Sequence, residues 1–151
     1  MDKLEVLKRS DLFRELSDEQ LSLVEKMCTA EVYEPGTIIH RANTIIEKLY
    51  VVEEGLVGII LEPGPLSQRQ LQAATNFETF GWSAIIPPHI STATVKTLEK
   101  TKVLAFKGQE LIDLCSDNPD MGRVLYQGLA RVVADRLHAA YMQCLGVTAQ
   151  D

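Results

Sequence analysis

Apolar positions change period twice along the chain, and the changes divide it into three stretches. Over the first thirty residues Leu4, Leu7, Leu12 and Leu16 form a broken helical stripe, and Leu21, Val24 and Cys28 follow at helical spacing. Ser17-Asp18-Glu19-Gln20 has the capping-box form, with Ser17 as N-cap and Gln20 three residues on, and Ser10-Asp11 offers another point for a helix to restart. From Glu31 the texture becomes short runs of β-branched and aromatic residues: Val32 and Tyr33, Ile38 and Ile39, Ile45 and Ile46, Val51 and Val52, then Val57, Ile59 and Ile60. Turn signals part them at Glu34-Pro35-Gly36, Ala42-Asn43, Glu53-Glu54-Gly55 and Glu62-Pro63-Gly64-Pro65. Strands at roughly 8–12 residue spacing predict a β sandwich or barrel. The segment 50–61 reads as a hairpin turning at Gly55, which supplies the positive φ a tight turn requires. Further strands are predicted over 71–75, 92–98 and 102–106.

Helical spacing returns after Gly108, first over Glu110-Leu111-Ile112-Asp113-Leu114-Cys115. Asn118-Pro119 reads as an N-cap followed by proline at the first helical position, where its missing N–H is no loss. No strong breaker follows until Gly146, and the polar ending Val147-Thr148-Ala149-Gln150-Asp151 reads as a frayed terminus. Met121, Leu125, Leu129, Val133, Leu137, Ala140 and Cys144 share one helical face, widened by Val124, Val132 and Tyr141, and Gly128 admits a second backbone. A helix of about 26 residues spans about 39 Å, longer than a small domain is wide. The face of Met121, Leu125, Leu129, Val133, Leu137 and Ala140 is therefore expected to meet the same helix of a second subunit. The alternative is a kinked helix folded back on the barrel. Helices at both ends of a β core, with no repeat or linker, predict one α+β domain over 1–151. Its N-terminal helices fall in 1–30, a β-roll in 31–107 and C-terminal helices in 108–145.

Composition narrows the function classes. With 46% hydrophobic and 24% charged residues among 151, the chain is too apolar for disorder and sized for about one core. No run reaches the roughly 18 apolar residues of a membrane span, and the acidic residues of Met1-Asp2-Lys3-Leu4-Glu5 argue against a signal peptide. A cytoplasmic protein is expected. Fifteen Lys+Arg against 21 Asp+Glu give a net charge of −6, which disfavours non-specific adhesion to nucleic acid or anionic membrane. Any basic stripe is confined to Arg123, Arg131 and Arg136. Cys28, Cys115 and Cys144 form no CxxC pair and are expected as reduced, mostly buried hydrophobes. His40, His89 and His138 share no ligand spacing, so no metal site is expected. No Gly-x-Ser-x-Gly, P-loop or Gly-x-Gly-x-x-Gly motif occurs, and no enzyme is expected.

The segment Phe80-Gly81-Trp82-Ser83-Ala84-Ile85-Ile86-Pro87-Pro88-His89-Ile90-Ser91-Thr92-Ala93-Thr94-Val95 carries the specific signal. It resembles the phosphate-binding cassette of the cyclic-nucleotide-binding domain family, the sensor of catabolite-activator-type regulators, cyclic-nucleotide-dependent kinases and gated channels. The family pattern runs Phe-Gly-Glu-x-Ala-Leu-Leu, a short turn, then Arg-Ala-Ala/Ser-Thr-Val, and this sequence aligns without a gap. Pro35-Gly36, Tyr50 with Gly55-x-Val57, and Asn118-Pro119-Asp120 extend the resemblance from about Leu7 to about Leu145. It implies a β-jelly-roll barrel with N-terminal helices and a long C-terminal helix, acting as a non-catalytic, homodimeric ligand sensor in signal transduction.

The departures fall on the chemistry. In the family a glutamate after Phe-Gly takes the ribose 2′-hydroxyl and an arginine pairs with the cyclic phosphate. Trp82 and Ser91 stand at those positions here. A guanidinium fork on phosphate is bidentate and charge-assisted. At about 1.5–3 kcal/mol per hydrogen bond to a charged group, its loss predicts binding weaker by roughly one to two powers of ten. Trp82 either fills the vacated pocket or offers a stacking face to another ligand. A short helix over 83–86 retains some pull on an anion through its N–H groups. Hydroxyls of Ser83, Ser91, Thr92 and Thr94 add donors, and His89 adds charge below neutral pH. The alternative is that these are ordinary turn and strand residues. Candidate ligand-binding residues are thus Gly81, Trp82, Ser83, Ala84, His89, Ser91, Thr92 and Thr94, with Arg136 and Leu137 placed near a base by the resemblance. Haem-sensing relatives also give His89 a reading as an axial ligand.

The expected ligand is a weakly held cyclic nucleotide or another small anion, and the expected partners are a second copy and an effector protein. Two alternatives stand beside this reading. One is a ligand-independent dimerisation module plugged by Trp82. The other is the sensor part of a transcription regulator, since no helix-turn-helix domain follows the long helix before Asp151. A charged group reaching in from elsewhere in the chain would restore the anion grip.

Overall fold

Two short helices precede the sheets, α1 (Lys3–Arg9) and α2 (Asp18–Met27), in a computed structural model that describes residues 1–64 and 67–146. Pro65 of the fourth turn signal and the polar ending at 147–151 lie outside the described residues. The capping box forms: Ser17 Oγ accepts from the Gln20 N–H at 3.2 Å, and Gln20 Oε1 accepts from the Ser17 N–H at 2.9 Å. Ser10-Asp11 does not restart an α-helix. Ser10 is fully buried, donates to Leu7 O at 2.9 Å and accepts from Phe13 N at 3.0 Å. Such short-range side-chain bonds hold a turn in competition with a helix.

Among the described residues eight strands follow: β1 (Thr29–Tyr33), β2 (Ile38–His40), β3 (Lys48–Glu54), β4 (Val57–Gly64), β5 (Ser67–Ala74), β6 (Thr79–Phe80), β7 (Thr94–Thr97) and β8 (Thr101–Lys107). They make two four-stranded antiparallel sheets, ordered β1-β8-β3-β6 and β2-β7-β4-β5. Two further helices, α3 (Gly108–Asp117) and α4 (Pro119–Cys144), follow among the described residues, so the fold is an α+β jelly roll with helices on either side of the strands in sequence.

The expected hairpin over 50–61 is not one. β3 pairs with β8 and β6, whereas β4 pairs with β5 and β7, so Gly55 carries the chain from one sheet to the other. Leu49 and Val51 of β3 enter one core and Tyr50 and Val52 the other, so the strand is covered on both faces and flanked on both edges. Gly55 has φ 139°, and a Cβ there would stand 2.5 Å from Thr101 Oγ1. The glycine the sequence offers for a hairpin serves a tighter crossing, and β4 makes its hairpin with β5.

The first sheet separates two cores. On one side Phe13 and Phe106, 5.0 Å apart, pack with Leu7, Leu111, Met121 and Leu125 of the helices. On the other, between the sheets, Tyr50 stacks on Phe80 at 4.9 Å beside Val52, Val95 and Val103. Asn118 stands at the N-cap of α4 with Pro119 in its first turn, as expected, but the Asn118 side chain makes no cap bond: its Nδ2 donates back to Leu114 O at 2.9 Å, closing α3. Met121, Leu125 and Leu129, assigned from sequence to a subunit interface, lie in this chain's own core, each contributing about 1.5–3 kcal/mol of burial. Val133 and Leu137 are exposed and Ala140 is half-exposed. Cys28 and Cys115 are buried thiols, whereas Cys144 is exposed. Among the described residues no helix is long and apolar enough to cross a membrane.

Candidate functional site

β6 ends at Phe80 in the inner core, and the chain must then break direction. Gly81 does this with φ 80°, and a Cβ there would meet Lys48 O at 3.1 Å, so conformation and space both favour glycine. A 3₁₀ turn follows over Trp82–Ile85, one residue earlier than the helix expected over 83–86. Ala84 and Ile85 anchor it in the helix-side core, and the Ala84 N–H donates to Gly81 O at 3.1 Å.

Beside this turn lies a cavity of about 60 Å³, lined by Gly81, Trp82, Ser83, Ser91, Thr92 and Arg136 among the residues singled out from sequence. His40, Ile59, Phe80 and Val95 are also part of its wall. The hydroxyls differ in what they have left to give. Ser91 Oγ donates to Ala93 O at 2.6 Å, and Thr94 Oγ1, buried and not part of the cavity wall, accepts from the Ala42 N–H at 2.9 Å. Those two groups hold the strand and its preceding loop. Ala84 and His89 instead border a separate cavity of about 340 Å³ with Ile45, Ile46, Lys48 and Lys107. His89 lies 2.9 Å through Nδ1 from Ser83 O, and since a carbonyl only accepts, that nitrogen carries the proton.

A charged group does reach in from elsewhere. Arg136 of α4 donates through Nη2 to Thr79 O at 2.7 Å, and its Cζ lies 5.2 Å from the Trp82 ring centroid, within cation–π range. Gln72 of β5 donates through Nε2 to Arg136 O at 2.8 Å, fixing the helix backbone at that point. Burial lowers the Arg136 pKa, and the nearby Glu78 and Asp11 carboxylates oppose that fall. Among the described residues no carboxylate forms an ion pair with it. Leu137, the next residue, is exposed.

Sequence reasoning missed His40, Gln72 and Thr79. His40 stood only as an isolated histidine, yet its Nδ1 is shut off from solvent with no partner among the described residues. Burial pushes its pKa down from 6.5 to about 4, so it is neutral at pH 7. Gln72 and Thr79 act through strand placement and a main-chain carbonyl, which leave no side-chain signature.

Residues 30–118 match the family model described as cyclic nucleotide-binding domain. A candidate potassium channel protein of Rhodopseudomonas palustris is 27% identical over 119 residues, which are 79% of this chain and 28% of that protein. The chain thus spans less than a third of that relative's length. Among solved structures, a candidate cyclic nucleotide-binding protein of Geobacter metallireducens is similar with a TM-score of 0.79 and 25% identity, over 91% of this chain and 100% of that one. The catabolite activator protein of Thermus thermophilus gives a TM-score of 0.75 at 24% identity, over 89% of this chain and 62% of that one, a likeness of fold.

Proposed function

The chain belongs to the cyclic nucleotide-binding domain family, and from that premise we propose that it is a non-catalytic regulatory domain with an altered ligand pocket. It takes a small anionic ligand in the cassette cavity and signals occupancy through α4 to a cytoplasmic effector protein. The observation that carries this reading is the exchange at the cassette. Trp82 and Ser91 stand where the family pattern has glutamate and arginine, and the space left is about 60 Å³. Pockets for drug-sized ligands run to roughly 300–1,000 Å³, so a cyclic nucleotide enters only by displacing Trp82 or Arg136. Without a carboxylate at position 82 the ribose has lost its selecting partner as well.

The route from pocket to helix is short. Trp82 also lines an apolar groove with Tyr126, Leu129 and Val133 of α4, so displacing the ring disturbs the helix. The exposed far half of α4 then serves as the homodimer face. Titration calorimetry with cyclic AMP and cyclic GMP is expected to give affinities weaker than micromolar; sub-micromolar binding of either overturns the proposal.

One observation favours a second reading. Trp82 packs against the helix-side core as well as lining the cavity, as a plug in a ligand-free interaction module would. A saturable ligand response of Trp82, the chain's single tryptophan, excludes the plug.

A further inference from the structure

We infer that the anion grip has moved from the cassette to the long helix: Arg136 of α4 holds a small oxyanion, phosphate in kind, in the cavity beside Trp82. The inference rests on the reading of this cavity as a ligand site and names the chemistry of its ligand.

A guanidinium carries five N–H donors in a planar fork. Among the described residues, the contact of Arg136 Nη2 with Thr79 O, at 2.7 Å, engages one of them. Arg136 Cζ lies over the Trp82 ring, 5.2 Å from its centroid, a cation–π contact that holds the guanidinium beside the cavity. The nearest acidic influences, Glu78 and Asp11, favour the cation without ion-pairing to it. Asp11 is already committed, accepting from Thr79 Oγ1 at 2.6 Å and from Thr79 N at 3.3 Å. A half-buried cation with spare donors and no paired anion is costly by itself. An oxyanion in the adjoining space relieves both deficits.

The rest of the wall agrees. Ser91 has given its hydroxyl proton to Ala93 O, and Thr94, whose Oγ1 accepts from the Ala42 N–H, is not part of the cavity wall. Ser83 and Thr92 line the cavity with hydroxyls that bond to no other described residue, so two neutral donors accompany the cation. A space of about 60 Å³ suits inorganic phosphate or the anionic head of a small metabolite better than a whole nucleotide. In this arrangement ligand and helix are joined directly. The charge on the ligand pulls on a residue of α4 whose carbonyl Gln72 already pins.

The test is a titration of the full chain with inorganic phosphate at constant ionic strength, read by the fluorescence of Trp82. A saturable change is expected. Arg136→Gln is expected to weaken it about ten- to a hundredfold, and Arg136→Lys, which keeps the charge but not the fork, by an intermediate factor. Thermal melts confirm that each variant folds, and Arg136→Lys carries the test if Arg136→Gln does not. Equal phosphate binding in the variants overturns the role of Arg136 and leaves the cavity standing as a ligand site. Absence of a phosphate response, with a response to millimolar cyclic AMP, also overturns the inference and spares the proposed function. Silence of Trp82 toward both overturns the two together.

Discussion

At the scale of single residues, His40 is the clearest anomaly: a histidine held neutral against the wall of the cavity, its Nδ1 unpaired among the described residues. Glu47, Lys48 and Tyr50 share its outer pocket and Arg136 faces the cavity from α4, and burial outweighs them in setting its titration. Its folded pKa of about 4 lies below the ordinary 6.5, so between those values the unfolded chain binds the proton first. Stability is therefore lost as the pH falls from 6.5 toward 4. At 1.36 kcal/mol per unit the loss by pH 4.5 is about 2–3 kcal/mol. Urea denaturation at pH 7.0 and pH 4.5 checks this. Wild type is expected to lose that amount more than His40→Phe, and equal losses would clear His40. The residue scale also marks how far the sequence was readable. Trp82 and Ser91 were visible as departures because a motif surrounds them. Arg136 was visible only as one of three arginines in a possible basic stripe and, through the resemblance, as a residue placed near a base. Whether a residue of α4 turns inward depends on where the helix crosses the barrel, which no spacing along the helix encodes.

Elements were legible as elements and much less so as pairings. The capping box at Ser17, the strand-rich stretch from Val32 onward and the long helix after Pro119 all form where local chemistry asks for them. What failed was the partner of β3. An alternating strand, a glycine turn and a second strand look alike whether the turn stays within one sheet or crosses to another. Only burial on both faces of β3 decides, and that is a property of the assembled sheets. A similar contest between local and tertiary preference occurs at Gly128. Glycine in mid-helix is worth about 0.8–1.0 kcal/mol less than alanine, so Gly128→Ala should stabilise α4 by propensity alone. A Cβ at that position, however, would stand 2.6 Å from Leu12 O, a main-chain atom in the turn that follows α1. Overpacking against backbone costs about 1–3 kcal/mol, and Arg131, which donates to Asp11 O at 3.4 Å, ties the helix to the same turn. The close approach wins: Gly128→Ala is expected to lower stability by about 1 kcal/mol in chemical denaturation. A stabilised variant would show that the N-terminal turn yields easily.

For the whole molecule the open question is what covers the end of α4. The helix is packed as far as Val132, and beyond it Val133, Leu137, Tyr141 and Leu145 are 38%, 49%, 59% and 75% exposed. Val133, Leu137 and Tyr141 lie at steps of four on one side of α4 and Leu145 caps its end, while Arg136 lines the cavity. The sequence distributed one apolar face along the helix; the fold divides it, giving Met121, Leu125 and Leu129 to the chain's own core and leaving the rest bare. Twelve residues from Val133 to Cys144 extend about 18 Å, enough for two copies to cross and bury three or four side chains from each. At about 1.5–3 kcal/mol for a fully buried aliphatic side chain, less the entropy of association, such a contact supports a concentration-dependent dimer. Light scattering at tens of micromolar is accordingly expected to report a dimer, and Leu137→Glu a monomer with its barrel intact by thermal melting. A wild-type monomer under those conditions would remove the partner copy from the account. The proposed signal from Arg136 would then have to leave through the Trp82 groove against α4, within one chain.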